Sequence, residues 1–292
     1  MDIRLKLKKL WLKGYSALPV VYGLNISEQR DKKIIVSLTS YPKRFQYLDL
    51  AIKSILRQTT KPDKVILYLG EDSEGSILSE RLRKMEKYGL EIKYRKGNLR
   101  SHKKYVYALQ EYPDDIVILI DDDMIYDRHL VERLMKSYTK YPYAVSASRV
   151  HRMAKNEDET LASYTHWEYE YHASTEPRDD LFSTTGFGTL LPPHSMDEQV
   201  VDADTFMKEC FAADDVWLKY MQLRKGTPTV YVPGATWRGL PGTQETSLSS
   251  SNVDQDVNEE FIRRMERLTS IQLKDYCDLI YTKESTYDRL RP

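Results

Sequence analysis

This sequence has few cysteines, no excess of positive or negative charge, and no long apolar run. Its two cysteines, Cys210 and Cys277, lie too far apart for a metal-binding spacing, which argues for thiols that fill the core of a protein from a reduced compartment. Lys and Arg total 44 and Asp and Glu total 44, a balance that argues against a nucleic-acid-binding protein. No apolar run approaches the ~20 residues that span a bilayer, and no signal-peptide pattern is present. We therefore expect a cytoplasmic protein with one large domain.

The first 30 residues differ from the rest. Within residues 1–13, five basic side chains accompany one acidic side chain, and Ile3, Leu7, Leu10 and Trp11 share one helical face. Such a segment is typical of an interfacial helix on the anionic inner leaflet of a membrane. It is equally typical of a terminal helix that packs on its own domain, and the sequence leaves both interpretations open.

From residue 31 onward, short apolar runs alternate with amphipathic segments. The pattern predicts strands over 34–39, 65–69, 91–94 and 116–120, separated by helices over 45–57, 78–85 and 105–110. This alternation indicates an α/β fold with a mostly parallel central sheet flanked by helices. Because right-handed crossovers bring the carboxyl ends of such strands to one edge, residues 39–41, 70–72 and 121–123 should converge there.

The second half has weaker periodicity. Strands are predicted over 143–149 and 229–232, and helices over 214–223 and through a final segment in which Val257, Phe261, Met265 and Leu268 should face inward. Residues 239–252 are rich in Gly, Ser and Thr, which predicts a mobile loop. That loop is either a plain surface loop or a lid that closes over a ligand.

The run from Ile116 to Asp127 is the most informative stretch. Five apolar residues end in three adjacent carboxylates, Asp121, Asp122 and Asp123, which repel one another and resist burial. A divalent cation held by oxygen ligands would neutralise them, at the strand end where open α/β sheets bind ligands. The alternative is a solvated acidic turn, which the position after a buried strand disfavours.

Five stretches of the chain resemble the GT-A-fold, family 2-like glycosyltransferases that use nucleotide sugars, particularly the bacterial enzymes that build capsules and lipopolysaccharide. They are SLTSYPKRF (37–45), SILRQTTKPDKVILYL (54–69), DDDMIY (121–126), TGFGTLLPP (185–193) and ADDVWLKYM (213–221). The resemblance implies one GT-A domain over 31–285, with a nucleotide-binding half at 31–135 and an acceptor-binding half at 136–285. It implies transfer of one sugar, with inversion, from a UDP-sugar to a hydroxyl of a cell-surface glycan or lipid-linked glycan. The QxxRW pattern of processive synthases is absent from the sequence, in keeping with one sugar per encounter.

The resemblance also implies roles at the donor side. Mn²⁺ or Mg²⁺ would be held by Asp121 and Asp123, with Asp123 as the direct ligand and Asp121 sharing the metal or reaching the ribose. The remaining donor contacts would come from Thr39, Ser40, Tyr41 and Pro42 at the nucleoside, Arg44 near the phosphates, Asp72 at the base, Lys104 opposite the diphosphate, and Asp122 in support. Arg44 and Lys104 could instead be solvated charges at helix starts, and Pro42 could serve only to shape the turn.

On the acceptor side, the resemblance implies that Asp215 takes the proton from the attacking hydroxyl, with Asp214 beside it. Both residues could instead serve as helix caps. Gly186, Phe187 and Gly188 would let the backbone approach the acceptor, or form only a tight turn. Trp167 would stack on a sugar, or simply pack in the core. A later histidine is a third metal ligand in many members of this fold, and the last histidine here is His194. Either His194 takes that role or water and phosphate complete the metal shell, and we expect the latter.

Two other functions use the same residues. A nucleotidyltransferase or phosphotransferase would place a metal-bound triphosphate on the acidic strand end, but it predicts a glycine-rich loop after the first strand, where SLTSYPKRF has no glycine. A non-catalytic glycan-binding protein on a transferase scaffold predicts loss of acidic residues, whereas both acidic clusters are intact.

Overall fold

The computed structural model describes residues 3–20, 23–25, 27–76, 78–240 and 257–279, and it describes side chains from residue 10 onward. Most of the predicted loop at 239–252 and the end of the predicted domain at 280–285 therefore lie outside the described residues. No helix within the described ranges is both long enough and apolar enough to cross a bilayer.

The first half of the domain is a parallel sheet with helical crossovers, as the sequence predicts. Strands β1 to β4 pair in parallel in the spatial order β4-β1-β2-β3. Their bounds are Ile34–Thr39, Lys64–Leu69, Leu90–Tyr94 and Ile116–Leu119. After a first helix α1 (Ile3–Ala17), the crossovers contain helices α2 (Phe45–Leu56), α3 (Glu80–Glu86) and α4 (Lys103–Glu111).

The chain after β4 adds three strands to the same sheet and two antiparallel ribbons. Its strands are β5 (Met124–Tyr126), β6 (Val145–Ala147), β7 (Val150–Arg152), β8 (Leu181–Ser183), β9 (Thr189–Leu191), β10 (Thr229–Tyr231) and β11 (Trp237–Gly239). The seven-stranded sheet has the order β10-β6-β9-β4-β1-β2-β3, while β5 pairs with β11 and β7 with β8. The helices are α5 (Leu130–Lys140), α6 (Ala203–Glu209), α7 (Asp214–Lys225) and α8 (Val257–Thr269). Strand β9 runs antiparallel between β4 and β6, so it brings the turn at 184–188 to the end of β4.

Both faces of the sheet are covered, which explains the near-continuous apolar runs of its parallel strands. Successive residues of β1 point to opposite faces: Ile35 packs in one core cluster, and Ile34, Val36 and Leu38 pack in another. Both cysteines are free and buried in the first of these clusters, as the sequence predicts.

One prediction about the last helix is wrong. Phe261 and Met265 of α8 are buried, and Val257 packs partly buried against the core, but Leu268 is 46% exposed. Ile262 takes its place in the stripe that faces the core, because positions i, i+1 and i+4 of this helix point inward.

Helix α1 lies against the domain, on α2 and the β5–β11 ribbon. Leu12 is buried with Leu50, Ile125 and Leu240, and the guanidinium of Arg238 lies 4.1 Å from the Trp11 ring centroid. The contacting face therefore runs through residues 11, 12 and 15, whereas Leu10, predicted on the same face as Trp11, is 67% exposed. This packing favours the terminal-helix interpretation of residues 1–13.

Candidate active site

A cleft of about 720 Å³ opens at the carboxyl ends of β1, β2 and β4. Of the residues singled out in the sequence, it is lined by Thr39, Ser40, Tyr41, Arg44, Asp72, Lys104, Asp121, Asp122, Asp123, Gly186, Phe187, Asp214 and Asp215. The predicted convergence of strand ends is therefore correct, and residues separated by more than 170 positions in the chain share one cavity.

Each carboxylate of the acidic triplet has a different environment. Asp122 is only 5% exposed; its carboxylate accepts hydrogen bonds from Ser40 Oγ and from an Arg44 terminal nitrogen at 2.8 Å. Burial raises the pKa of Asp122, and the Arg44 charge opposes that rise. Asp121 and Asp123 are the more exposed members, with side chains 38% and 18% exposed. Asp122 therefore anchors the loop, and its two neighbours face the cleft.

The charge at Asp123 is only partly neutralised by the protein. Arg44 lies 3.3 Å from its carboxylate, yet burial and the charges of Asp121 and Asp122 raise the pKa of Asp123 to about 7. A cation in the cleft would relieve this repulsion. In the described part of the chain, no three carboxylate, imidazole or thiolate groups are placed to hold a metal together. Two carboxylates completed by diphosphate oxygens and water suit Mg²⁺ or Mn²⁺, so the donor set fits such an ion when substrate supplies the rest.

Gly186 is a glycine because Asp121 occupies the space of a side chain. A Cβ at this position would lie 1.8 Å from Asp121 Oδ2, and the Asp121 N–H donates to the Gly186 carbonyl at 3.1 Å. Gly188 serves a different purpose, since its φ of +100° closes the turn and a Cβ there would meet the Leu130 side chain at 2.8 Å. The Gly186 backbone therefore lies close to the acidic triplet, whereas the sequence predicted a close approach to the acceptor.

A second acidic pair lies in the first turn of α7. Asp214 is buried, and Lys104 Nζ lies 2.9 Å from its Oδ2. Asp215 accepts hydrogen bonds from the Thr185 N–H at 3.1 Å and from the Thr185 hydroxyl. Neither aspartate is the N-cap residue, which is Ala213, but both lie in the first turn of α7, where negative charge suits the helix dipole.

The two aspartates have opposite pKa shifts. Burial alone would raise the pKa of Asp214, but the Lys104 charge, the nearby His102 ring and hydrogen bonds from Lys104 and Ser101 together hold the pKa below the usual range. Burial and the adjacent charge of Asp214 raise the pKa of Asp215 to about 7. Paired titratable groups driven apart in this way are typical of acid–base sites.

Lys104 joins the two acidic clusters. Its Nζ lies 2.9 Å from Asp121 Oδ1 and 2.9 Å from Asp214 Oδ2, and its side chain is 4% exposed. The interpretation of Lys104 and Arg44 as solvated helix-start charges is therefore wrong, since Lys104 pairs with buried Asp214 and Arg44 with buried Asp122. Because Lys104 lies between the clusters, the end of β4 and the start of α7 are held together by charge.

Two groups of cleft residues went unrecognised in the sequence. At the far end, Lys103 is buried, with its Nζ 3.5 Å from Asp72 Oδ1 and 3.3 Å from Asn98 Oδ1. Nearer to Asp215, the β7–β8 ribbon and the segment beside it contribute Arg149, His151, Tyr164, Tyr169 and Phe182. The density of aromatic residues at 164–171 was a usable signal for the second group, whereas Lys103 had none beyond its position next to Lys104.

Two predicted residues, Trp167 and Pro42, lie away from the cleft lining, and so does His194, which is not the expected metal ligand. Trp167 is 3% exposed, donates its indole N–H to the Ala162 carbonyl at 2.9 Å and packs against Phe182, so packing rather than an acceptor contact explains it. Pro42 begins a short 3-10 turn just outside the lining residues. His194 pairs with Asp114, which precedes β4 at the opposite end of the strand from the triplet.

A family model described as glycosyl transferase family 2 matches residues 35–190, more than half of the chain. The chain belongs to this family. It is therefore a glycosyltransferase with a GT-A fold, as the resemblance implied. The family 2 match extends from β1 through β9, so it includes the acidic triplet and Gly186 but ends before Asp214 and Asp215.

The GT-A fold is also seen in a solved structure, the crystal structure of GalNAc-T7 with UDP, GalNAc and Mn²⁺. It matches this family 2 chain with a TM-score of 0.50 at 12% identity, over 85% of this chain and 55% of that chain. At this identity the likeness concerns the fold alone, and the chain spans little more than half the length of that protein. No curated protein sequence matches the chain.

Proposed function

We propose that this glycosyltransferase moves one sugar from a nucleotide-diphosphate sugar, with UDP as the nucleotide, to a hydroxyl of a glycan, with Mn²⁺ or Mg²⁺ as cofactor. The observation that carries the proposal is the single cleft in which Lys104 connects an acidic strand end to a second acidic pair. One cluster suits a departing diphosphate and the other suits an attacking hydroxyl. Family membership favours this function over nucleotidyl transfer and over non-catalytic glycan binding.

On the donor side, Asp72, Asn98 and Lys103 offer both hydrogen-bond acceptors and donors to the edge of a base. Residues 39–41 then line the path from the base to the triplet. Asp121 and Asp123 would hold the cation, which when bound would neutralise charge on the diphosphate as it leaves. UDP and Mn²⁺ are bound in the GalNAc-T7 structure of the same fold, which supports this choice of nucleotide and metal.

On the acceptor side, Asp215 accepts the proton of the attacking hydroxyl. The new bond forms between that oxygen and C1 of the donor sugar while the bond from C1 to the diphosphate oxygen breaks, so the configuration at C1 inverts. Asp214 stays ionised beside Lys104, and its charge makes Asp215 the stronger base of the pair near neutral pH. The acceptor that the resemblance suggests is a bacterial cell-surface glycan, free or lipid-linked.

The experiment is a transfer assay on the full chain with donors chosen by thermal shift in Mn²⁺. A donor that binds the folded state raises the melting temperature by mass action. We expect Asp123→Ala to abolish the donor shift and the activity, and Asp215→Ala to keep the shift and lose transfer. Asp114→Ala is the matched control, because that exposed carboxylate lies at the opposite end of β4.

The anomeric configuration of the product, read by NMR, completes the test. An inverted product is expected. Full activity of Asp123→Ala would remove the metal assignment. Full activity of Asp215→Ala, or a product with retained configuration, would remove the base.

A further inference from the structure

The end of the cleft nearest Asp215 is lined by aromatic and basic side chains. Its wall is made by the β7–β8 ribbon and the aromatic segment that packs on it, with Arg149, His151, Tyr164 and Tyr169 in the lining. Tyr164 lies near both Asp215 and Arg149. Burial raises the pKa of Tyr164, the Asp215 carboxylate raises it further, and the Arg149 charge lowers it. Arg149 and the candidate base therefore share one region of the cleft.

Arg149 is held in place but keeps donors free. Its guanidinium carbon lies 4.3 Å from the Phe187 ring centroid, and its Nε donates to Glu170 Oε1 at 3.1 Å. Within the described part of the chain, neither terminal nitrogen of Arg149 has a hydrogen-bond partner, although the side chain is only 19% exposed. The Glu170 side chain is 53% exposed, so this ion pair is worth little and leaves the cation able to bind another anion.

The other cations of the cleft are engaged differently. Arg44, Lys103 and Lys104 pair with aspartates that line the same cavity. Arg100 is an exposed side chain over the Phe211 ring. Of the five described Arg and Lys side chains that line the cleft, only Arg149 forms an ion pair with a carboxylate outside the lining. Its guanidinium stacks on Phe187, is half-buried and lines the cavity.

His151 adds a neutral donor beside Arg149. Its Nδ1 accepts the Glu170 N–H at 3.0 Å, which leaves the proton on Nε2. Burial and the Arg149 charge lower the pKa of His151 to about 3, so the ring remains uncharged at working pH. Glu170 itself has a φ of +52°, a conformation rare for a side chain of its type, which this hydrogen bond helps to hold.

We propose that the acceptor sugar carries an anionic group, a carboxylate or a phosphate, which binds the terminal nitrogens of Arg149 while the ring rests against the tyrosines. A planar guanidinium with both terminal nitrogens available binds such groups through two parallel hydrogen bonds. Flat aromatic side chains provide the apolar surface that a sugar face needs. This inference rests on the proposed function, because it concerns the acceptor of the same reaction.

The test is binding of matched monosaccharide pairs to the full chain with UDP and Mn²⁺ present. Saturation-transfer NMR would compare glucose, galactose and mannose with their uronic acids and their 6-phosphates. We expect at least one acidic member to bind more tightly than its neutral partner, and Arg149→Gln to weaken that member by about tenfold or more. Whether the uronic acid or the 6-phosphate binds more tightly shows whether the anionic group is a carboxylate or a phosphate. Arg149→Lys keeps the positive charge but loses the two parallel donors of the guanidinium, so it should bind the acidic sugar more tightly than Arg149→Gln but less tightly than the wild type.

Arg152→Gln is the matched control, because Arg152 ends strand β7, which begins one residue after Arg149, and pairs with Glu168 and Asp278, both outside the cleft lining. It should leave the acidic preference unchanged. The proposal is overturned if no acidic sugar binds better than its neutral partner, or if Arg149→Gln weakens both partners equally. It is also overturned if Arg149→Gln selectively weakens UDP-glucuronate relative to UDP-glucose, because the anion would then belong to the donor. Loss of UDP binding in the wild-type chain would instead contradict the proposed function itself.

Discussion

Adding a single methyl group at Gly186 should disable the enzyme and leave the fold intact. The Cβ of an alanine would lie 1.8 Å from Asp121 Oδ2 and 2.2 Å from its carboxyl carbon, closer than real Cβ contacts come. The Gly186 backbone cannot easily yield, because its carbonyl accepts hydrogen bonds from the Asp121 N–H and the Tyr126 hydroxyl. The Asp121 carboxylate must therefore move.

The size of the effect follows from that displacement. To reach an ordinary contact, the carboxylate must shift by more than about 1 Å, and misplacement of a catalytic group by that distance can lower a rate by about 100-fold. This corresponds to about 2.7 kcal/mol of transition-state stabilisation. The Asp121 side chain is 38% exposed and can turn into the cleft, so we expect little change in the melting temperature.

The assay is steady-state release of the nucleotide from the donor found by thermal shift, with circular dichroism as the check on folding. Gly14→Ala is the matched control, because a Cβ at Gly14 meets no atom within 4 Å. Wild-type activity in a folded Gly186→Ala variant would refute the claim that Asp121 must remain where Gly186 holds it.

Three further predictions concern protonation, charge and the N-terminal helix. At saturating Mn²⁺ the transfer rate should fall as pH drops below about 7, because protonated Asp215 cannot accept a proton. Thr185→Val removes a hydrogen bond to the ionised Asp215 carboxylate, so the midpoint of the pH–rate profile should move to higher pH. An unchanged midpoint would contradict the assignment. Lys104→Met leaves two aspartates without their cation and should cost about 3 kcal/mol in denaturant unfolding, whereas Lys84→Met, at an exposed i,i+4 pair, should leave stability unchanged. Removing residues 1–13 should lower the melting temperature through loss of the packing of α1, and unchanged sedimentation with anionic liposomes would contradict the membrane interpretation.

The nucleotide-binding half could be predicted from sequence because its signals are local. The apolar run of β4 is buried along its whole length, and a parallel strand covered on both faces has that composition. Its carboxyl end then carries Asp121 to Asp123 to the sheet edge by topology alone. The start of α7 was equally predictable, because Asp214 and Asp215 open a segment with helical composition.

The acceptor half could not be predicted in the same way, because its elements are short and depend on distant partners. Strand β9 has three residues between Gly188 and a pair of prolines, and only its pairing with β4 and β6 makes it a strand. The role of Arg149 depends on Phe187 and Glu170, which lie about 20 to 40 positions away and reach it through the ribbon. Trp167 illustrates the reverse case, since an aromatic residue in a promising segment packs in the core.

The most direct measurement is titration of Mn²⁺ into the full chain with and without UDP, followed by electron paramagnetic resonance. Asp123 should bind the ion together with the diphosphate, so in the presence of UDP the wild type should lower the free Mn²⁺ signal below that of Mn²⁺ and UDP without protein, whereas Asp123→Asn should not. Equal Mn²⁺ uptake by both proteins, or no uptake by the wild type in the presence of UDP, would contradict a cation site at the end of β4.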